Sequence, residues 1–238
     1  MTVKLKYYSK TTKNIFITIN IIFVVLFFLN IILYGITANN NNINLDAKDF
    51  SLIGALIFIL FASFNLTIYN LELKTKTTIE KNLKTHIKNN NYNEALTYIN
   101  NINNKRNFYN INQMLIYYLA YLELLNNNIN KALTYLNEFN LDKQTITNTK
   151  YLVKVIFLLY ITNYILEKDY KNIYTIYKTK KAEIIKLTNK SEYKSLVNTL
   201  FLVIEDINNK NLTSAVSNLK LTEFNKIPLL QQFINNNK

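Results

Sequence analysis

The residues able to do chemistry in this chain are few, and they are poorly spaced for it. There is no cysteine, which excludes disulfides and thiolate chemistry. His86 is the one histidine. It stands between Thr85 and the apolar Ile87 with no second ligand near in sequence, so it reads as a surface or boundary residue rather than a metal ligand or triad member. Glu205 and Asp206 are adjacent carboxylates. Consecutive helical side chains diverge by about 100° and do not converge on one substrate, so we expect solvated charges. Ser191, Lys194 and Ser195 carry the residue types of a Ser–Lys dyad, and helical spacing sets Ser191 and Lys194 on one side. A serine at a helix start is more simply a cap. No catalytic, metal-binding or cofactor-binding residue is assigned, and a non-enzymatic protein is expected.

The elements around these residues are helical. Two glycines and one proline in 238 residues are too few for β-sandwiches, phosphate-cradling loops or Rossmann turns. An all-α fold remains. Its first feature is Ile15–Ile36, twenty-two residues without a charge. At 1.5 Å per residue this makes a helix of about 33 Å, long enough for a hydrocarbon core of about 30 Å. A second uncharged run, Phe50–Leu71, follows closely. We therefore expect residues 1–72 to form a short tail and a two-helix transmembrane hairpin, with spans near 15–36 and 50–71, and residues 73–238 to form a second, helical domain.

Charge orients the hairpin. Lys4, Lys6, Lys10 and Lys13 precede the first run, and Lys74, Lys76, Lys81, Lys84 and Lys88 follow the second. The connection from Thr37 to Asp49 holds Lys48 against Asp46 and Asp49. This is the positive-inside pattern, which puts both termini in the cytoplasm and the protein in the cytoplasmic membrane. The Ile36-Thr37-Ala38 stretch weakly resembles a signal-peptide cleavage site, but the apolar run is too long and a second span follows. Gly35 and Gly54 lie at similar depth near the outer ends, where small residues allow close helix approach. Asn20 and Asn65, deeper in, are placed to hydrogen-bond across the pair, worth about 0.6 kcal/mol. Neither span has an ionisable residue, which disfavours a transport path or an intramembrane hydrolase.

The formal charge is +13, and from Glu72 to Lys238 there are 23 basic against 13 acidic residues. Asn, Lys, Ile and Tyr dominate as AT-rich coding would give. Arg106 is the one arginine, so a nucleic-acid surface is disfavoured. The lysines at 74, 76, 81, 84 and 88 are candidates for contact with an anionic membrane surface, at about 1 kcal/mol each.

From Leu73 on, apolar residues recur at helical spacing, beginning with Ile79, Leu83 and Ile87. Short helices then repeat: NYNEALTYI at 91–99, NINKALTYL at 128–136, DYKNIYTIY at 169–177 and NLTSAVSNL at 211–219. Their anchors Ala95, Ala132, Ile173 and Ala215 are 37, 41 and 42 residues apart. Each follows an Asn- or Asp-bearing turn and a longer apolar helix. Such units must stack to bury their apolar faces, giving an α-solenoid of about four helix–turn–helix repeats. The run Tyr151–Leu166 is apolar nearly all round. It is shorter than a span and interrupted by Lys154, so a buried repeat helix is expected rather than a third crossing. Asn189 with Glu192 reads as a capping box opening the fourth unit. A short helix Pro228–Ile234 is expected to cap the last repeat through Leu229, Leu230 and Phe233.

The second copy, LAYLELLNNNINKALTYL from Leu119 to Leu136, resembles the tetratricopeptide-like family. Ala120 stands at the family's small residue on the first helix, and Ile129, Ala132 and Leu136 at its turn-hydrophobe, small and large positions on the second. The family's tryptophan, turn glycine and closing proline are missing. The resemblance implies a concave groove that binds peptides or partner helices, and it places Tyr117 and Tyr121 there. Tyr92, Tyr118 and Tyr164 fall at packing positions instead.

The expectation that follows is a membrane-anchored scaffold or adaptor, with the bilayer and an unidentified protein as partners. Anchoring would raise the effective concentration of its repeats at the membrane. The alternative is a self-protection protein, such as an immunity factor binding a toxin at the membrane.

Overall fold

A computed structural model describes residues 10–39, 47–103, 109–139, 141 and 149–237. Lys4, Lys6, Asp46 and Arg106 lie outside the described residues. Among those described, the chain is all helical, with ten α-helices, a short 3-10 turn and no strand. It divides into two compact units, residues 1–82 with 101–108, and residues 83–100 with 109–238. The division falls inside α2 (Ala47–Lys88), between Asn82 and Leu83.

In the first unit, α1 (Lys10–Asn39) and the apolar part of α2 lie antiparallel. Phe16 stacks on Phe64 with ring centroids 5.5 Å apart, and Phe23 meets Phe61 edge-on at 5.9 Å. Ile15–Ile36 and the helix from Ser51 are both long and apolar enough to cross a membrane. Their outward faces are bare apolar side chains, with Leu52 65% and Phe58 62% exposed.

The second unit is built from helical hairpins. After the end of α2 comes α3 (Tyr92–Asn103), followed by α4 (Tyr109–Leu125) with α5 (Ile129–Glu138), α6 (Thr149–Ile165) with α7 (Tyr170–Thr188), and α8 (Lys194–Asn208) with α9 (Leu212–Lys220). The first helices pack in succession, α4 on α6 and α6 on α8, and the second helices α5 and α7 pack against the next first helix. Four of these neighbours enclose α6, so it is buried continuously from Tyr151 to Thr162. That is why it is apolar on every side, and it answers the question of a third span in favour of a core helix.

One turn geometry closes all four hairpins. Asn90, Asn127, Glu167 and Lys210 each have positive φ, between 53° and 62°. At each, that residue's N–H and the next one's reach back to the carbonyls three and five residues earlier, as in Asn127→Leu124 at 3.1 Å and Asn128→Glu123 at 2.8 Å. This is the Schellman ending. Glycine would be the natural residue for it, and two asparagines, a glutamate and a lysine stand there instead.

Two local expectations change. Asn189 closes α7 rather than opening the next helix, and α8 begins after Tyr193 without a side-chain cap, so there is no Asn189–Glu192 capping box. The closing helix α10 (Pro228–Asn236) buries Leu229, Leu230, Phe233 and Ile234. It packs on α9 but also on α4, so it does more than cap the last hairpin.

Candidate functional site

The carboxylates Glu205 and Asp206 are not free solvated charges. They leave α8 in different directions, as neighbours on a helix must, and each holds a different helix. Glu205 Oε1 accepts from Tyr177 Oη at 2.8 Å and is paired with Lys181, both on α7. Asp206 Oδ2 accepts from Ser214 Oγ at 2.7 Å and Asn218 Nδ2 at 3.2 Å, both on α9. Burial pushes the Glu205 carboxyl up, but hydrogen bonds from Lys181 and Tyr177 and the Lys181 charge outweigh it and hold the group below its ordinary value. Burial and the bond to Glu205 push the Tyr177 phenol well up.

The other chemistry-bearing residues have local duties. His86 Nδ1 lies 3.4 Å from Glu94 Oε2, and its ring lies 6.0 Å from that of Tyr98. Ser191 Oγ donates to the Thr188 carbonyl at 2.8 Å and accepts from the Tyr193 N–H at 3.3 Å, serving the α7–α8 turn. Lys194 and Ser195 are exposed. Among the described residues, no group of three or more His, Asp or Glu side chains could hold a metal ion.

Tyr117 and Tyr121 are not open groove residues: they are 1% and 3% exposed. Their rings stack at 5.9 Å and 8°. They are covered because the chain's own C-terminal segment lies over α4 and α6. The 3-10 turn Glu223–Lys226 brings Phe224, fully buried, edge-on to Tyr121 at 5.6 Å and against Phe157 at 5.1 Å. Tyr121 Oη donates to the Glu223 carbonyl at 3.1 Å, and the Glu223 carboxylate pairs with Lys154. Lys154 Nζ also lies 5.2 Å from the centre of the Tyr117 ring. Burial, and after it the Glu223 charge, pushes the phenols of Tyr117 and Tyr121 far up. Burying Phe224 and Ile227 contributes about 3–6 kcal/mol at the usual 1.5–3 per large apolar side chain.

Sequence reasoning passed over Lys154 and Glu223 as a pair. The available signal was Lys154 itself, a lone charge inside an apolar helix, which must find a counter-charge when buried. Glu123 was a similar signal in α4. It is 1% exposed, with Lys131 Nζ 2.6 Å from Oε1 and Asn128 Nδ2 donating to Oε2 at 2.8 Å, so it fastens α4 to the turn and α5.

In the first unit, Asn65 Nδ2 donates to Asn20 Oδ1 at 3.0 Å across the helix pair. Each asparagine also donates to the carbonyl four residues before it, Phe16 or Phe61. The glycines do not meet. A Cβ on Gly35 would find no atom within 4 Å, whereas one on Gly54 would come 3.2 Å from Asn30 Oδ1. Close approach therefore belongs to Gly54 and Asn30, and Gly35 faces open space. An apolar groove of about 280 Å³ beside the pair is lined by Phe23, Phe27, Phe28, Phe58 and Phe61.

Of the five lysines after the second run, Lys74 and Lys81 are exposed in the first unit, and Lys84 and Lys88 in the second. Lys76 is only 7% exposed. It shares the buried side of α2 with Ile79 and is not a surface lysine.

Comparison with protein-family models finds no match for this chain, and comparisons with curated proteins and with solved structures find no significant one. What the fold itself defines is an all-helical protein with two span-length apolar helices and a separate hairpin-built unit.

Proposed function

We propose that this is a membrane-anchored, non-catalytic interaction protein. In this reading α1 and the apolar part of α2 cross the cytoplasmic membrane as a hairpin, with both termini cytoplasmic. The helical hairpins beyond Leu83 form a tetratricopeptide-like solenoid that presents a surface to a protein partner.

One observation carries the anchoring: large apolar side chains are exposed along Ile15–Ile36 and along Leu52–Leu73, whereas Ile185, Leu202 and Leu221 are the only such residues exposed elsewhere among those described. Exposed apolar surface on that scale is unstable in water and stable in lipid. Lysines before the first run and after the second support the orientation. The Schellman turn recurring at residues 90, 127, 167 and 210 supports the repeat reading.

The natural absence of cysteine makes the test clean. Single variants Asn42→Cys and Asn209→Cys are treated in intact cells with a membrane-impermeant maleimide. Labelling at 42 alone, with 209 labelled only after permeabilisation, is the expected result. Labelling at 209 in intact cells, or release of the protein by alkaline extraction, overturns the reading.

A further inference from the structure

Glu223 and Phe224 are held as a bound ligand is held. The backbone carbonyl of Glu223 accepts from Tyr121 on α4 at 3.1 Å, and its carboxylate takes the ammonium of Lys154 on α6. Phe224 fills the space between Tyr121 and Phe157. Two helices from successive hairpins thus converge on two consecutive residues of a four-residue turn. Lys154 is nearly buried and needs a counter-charge, whereas the Glu223 side chain keeps 42% exposure, so the acidic group reaches Lys154 from the solvent side. What the pair adds is selectivity for an acidic residue followed by a bulky aromatic one.

The turn is open to solvent on one side only, since Thr222, Phe224 and Ile227 are buried. Leu221 is 80% exposed and Glu223 is itself exposed. On either side, α9 and α10 are fastened by their own buried residues, Ala215 and Leu219 before the turn and Leu230 and Phe233 after it. The residues bounding the turn, Thr222 and Ile227, are extended and buried, so the turn leaves its site only by giving up their burial together with that of Phe224.

We propose that the Glu223–Phe224 turn is an internal ligand, occupying a peptide site on α4 and α6 that a partner's segment with an acidic residue followed by a bulky aromatic takes when the turn swings out. Tyr121, Lys154 and Phe157 make the recognition, and Tyr117 supports Lys154 through its ring face. This deepens the interaction reading above and rests on it. The tethered turn competes at the high effective concentration of a short linkage, so a free peptide meets a mostly occupied site, and its apparent affinity falls with the fraction of open molecules.

The full chain in detergent micelles is titrated with a fluorescent peptide of residues 219–229, LKLTEFNKIPL, and with a control in which the glutamate is glutamine and the phenylalanine alanine. The double variant Glu223→Gln/Phe224→Ala is expected to bind the first peptide at least about tenfold more tightly than the natural chain does, and the control not at all. Adding Lys154→Met is expected to weaken the gain. Equal binding of both peptides, or no saturable binding to a variant that keeps the natural helical circular dichroism, overturns the proposal.

Should the variant not fold, hydrogen exchange on the natural chain decides. The Ile227 amide, which donates to the Phe224 carbonyl at 3.0 Å, is expected to exchange at least about tenfold faster than amides in the middle of α6, since a turn that swings out opens without global unfolding. Equal protection overturns the proposal. Failure here with the cysteine pattern intact removes this site alone, and failure of that pattern leaves the peptide result standing.

Discussion

Tyr177 Oη and Glu205 Oε1 lie 2.8 Å apart in a bond between α7 and α8, with Lys181 paired to the same oxygen. Because the bonds and charge from α7 hold the Glu205 carboxyl below its ordinary value against the effect of burial, this link is sensitive to acid. A depressed carboxyl contributes stability that is fully present above its unfolded pKa, about 4.3, and is lost as pH falls through the folded value. Glu205→Gln is expected to lower stability at pH 7 by about 1 kcal/mol, a melting shift of about 2–4 °C for a unit of this size. The difference from the natural chain should close as pH falls below about 4. A constant difference down to pH 3 would show that the charge contributes nothing.

Two buried tyrosines make opposite predictions. Tyr177 has its acceptor, whereas among the described residues no group pairs with the buried Tyr160 Oη, although the rings of Tyr164, Tyr170 and Tyr174 surround that of Tyr160 at 6.0–6.4 Å. A buried hydroxyl without a partner costs about 1–3 kcal/mol. Tyr160→Phe is therefore expected to be neutral or stabilising by up to about 1 kcal/mol, and Tyr177→Phe destabilising by about 1 kcal/mol. Urea unfolding of the two variants reads the contrast directly, and a loss at Tyr160 as large as at Tyr177 would contradict it.

Burial also pushes the phenols of Tyr117, Tyr121, Tyr160 and Tyr177 well up. A raised phenol contributes stability that is whole below the unfolded pKa of about 10 and is lost as pH climbs above it. Tyrosinate absorbance at high pH is expected to rise in two stages, exposed rings first and the buried set together with loss of helical circular dichroism. A single smooth rise with the helices intact would show these phenols to be open to solvent.

The positive-φ turns give a stability prediction of their own. An L-residue in the left-handed region costs about 1–2 kcal/mol, and asparagine tolerates it better than glutamate or lysine. Glu167→Gly and Lys210→Gly are each expected to raise stability by about 0.5–1 kcal/mol, and Asn127→Ala to lower it by about 1 kcal/mol. Midpoints of urea unfolding check all three, and a destabilising Lys210→Gly would mean that its side chain does more than occupy the turn.

Much of the fold is legible in the sequence because its signals are local. The two uncharged runs, the asparagine-bearing turns at Asn90 and Asn127, and the apolar faces at Ile79 and Leu83 each show within a window of a few residues. What stays hidden depends on where distant segments meet. Glu223 reaches Lys154 from 69 residues away and Tyr121 from 102, and no periodicity announces either contact. The tetratricopeptide-like resemblance implies a groove position for Tyr117 and Tyr121, but residues 223 and 224, about a hundred positions further on, cover Tyr121. Gly35 and Gly54 fail as a pair for a related reason: depth in a span says nothing about rotation about the helix axis, and rotation puts Asn30 against Gly54.

That rotation can be tested in the hairpin. With Asn20→Cys and Asn65→Cys in the otherwise cysteine-free chain, the two thiols replace side chains that meet at 3.0 Å, so oxidation or a short bifunctional reagent is expected to cross-link them in native membranes. Gly54→Leu adds a branched side chain where even a Cβ would lie 3.2 Å from Asn30 Oδ1. The helices must then separate or turn, and cross-linking should fall severalfold. Gly35→Leu adds the same bulk where a Cβ has no neighbour within 4 Å and should leave the yield unchanged. Equal loss from the two substitutions would place both glycines in the contact and reverse the assignment made here, whereas loss from Gly54→Leu alone fixes the face of α2 that α1 packs against.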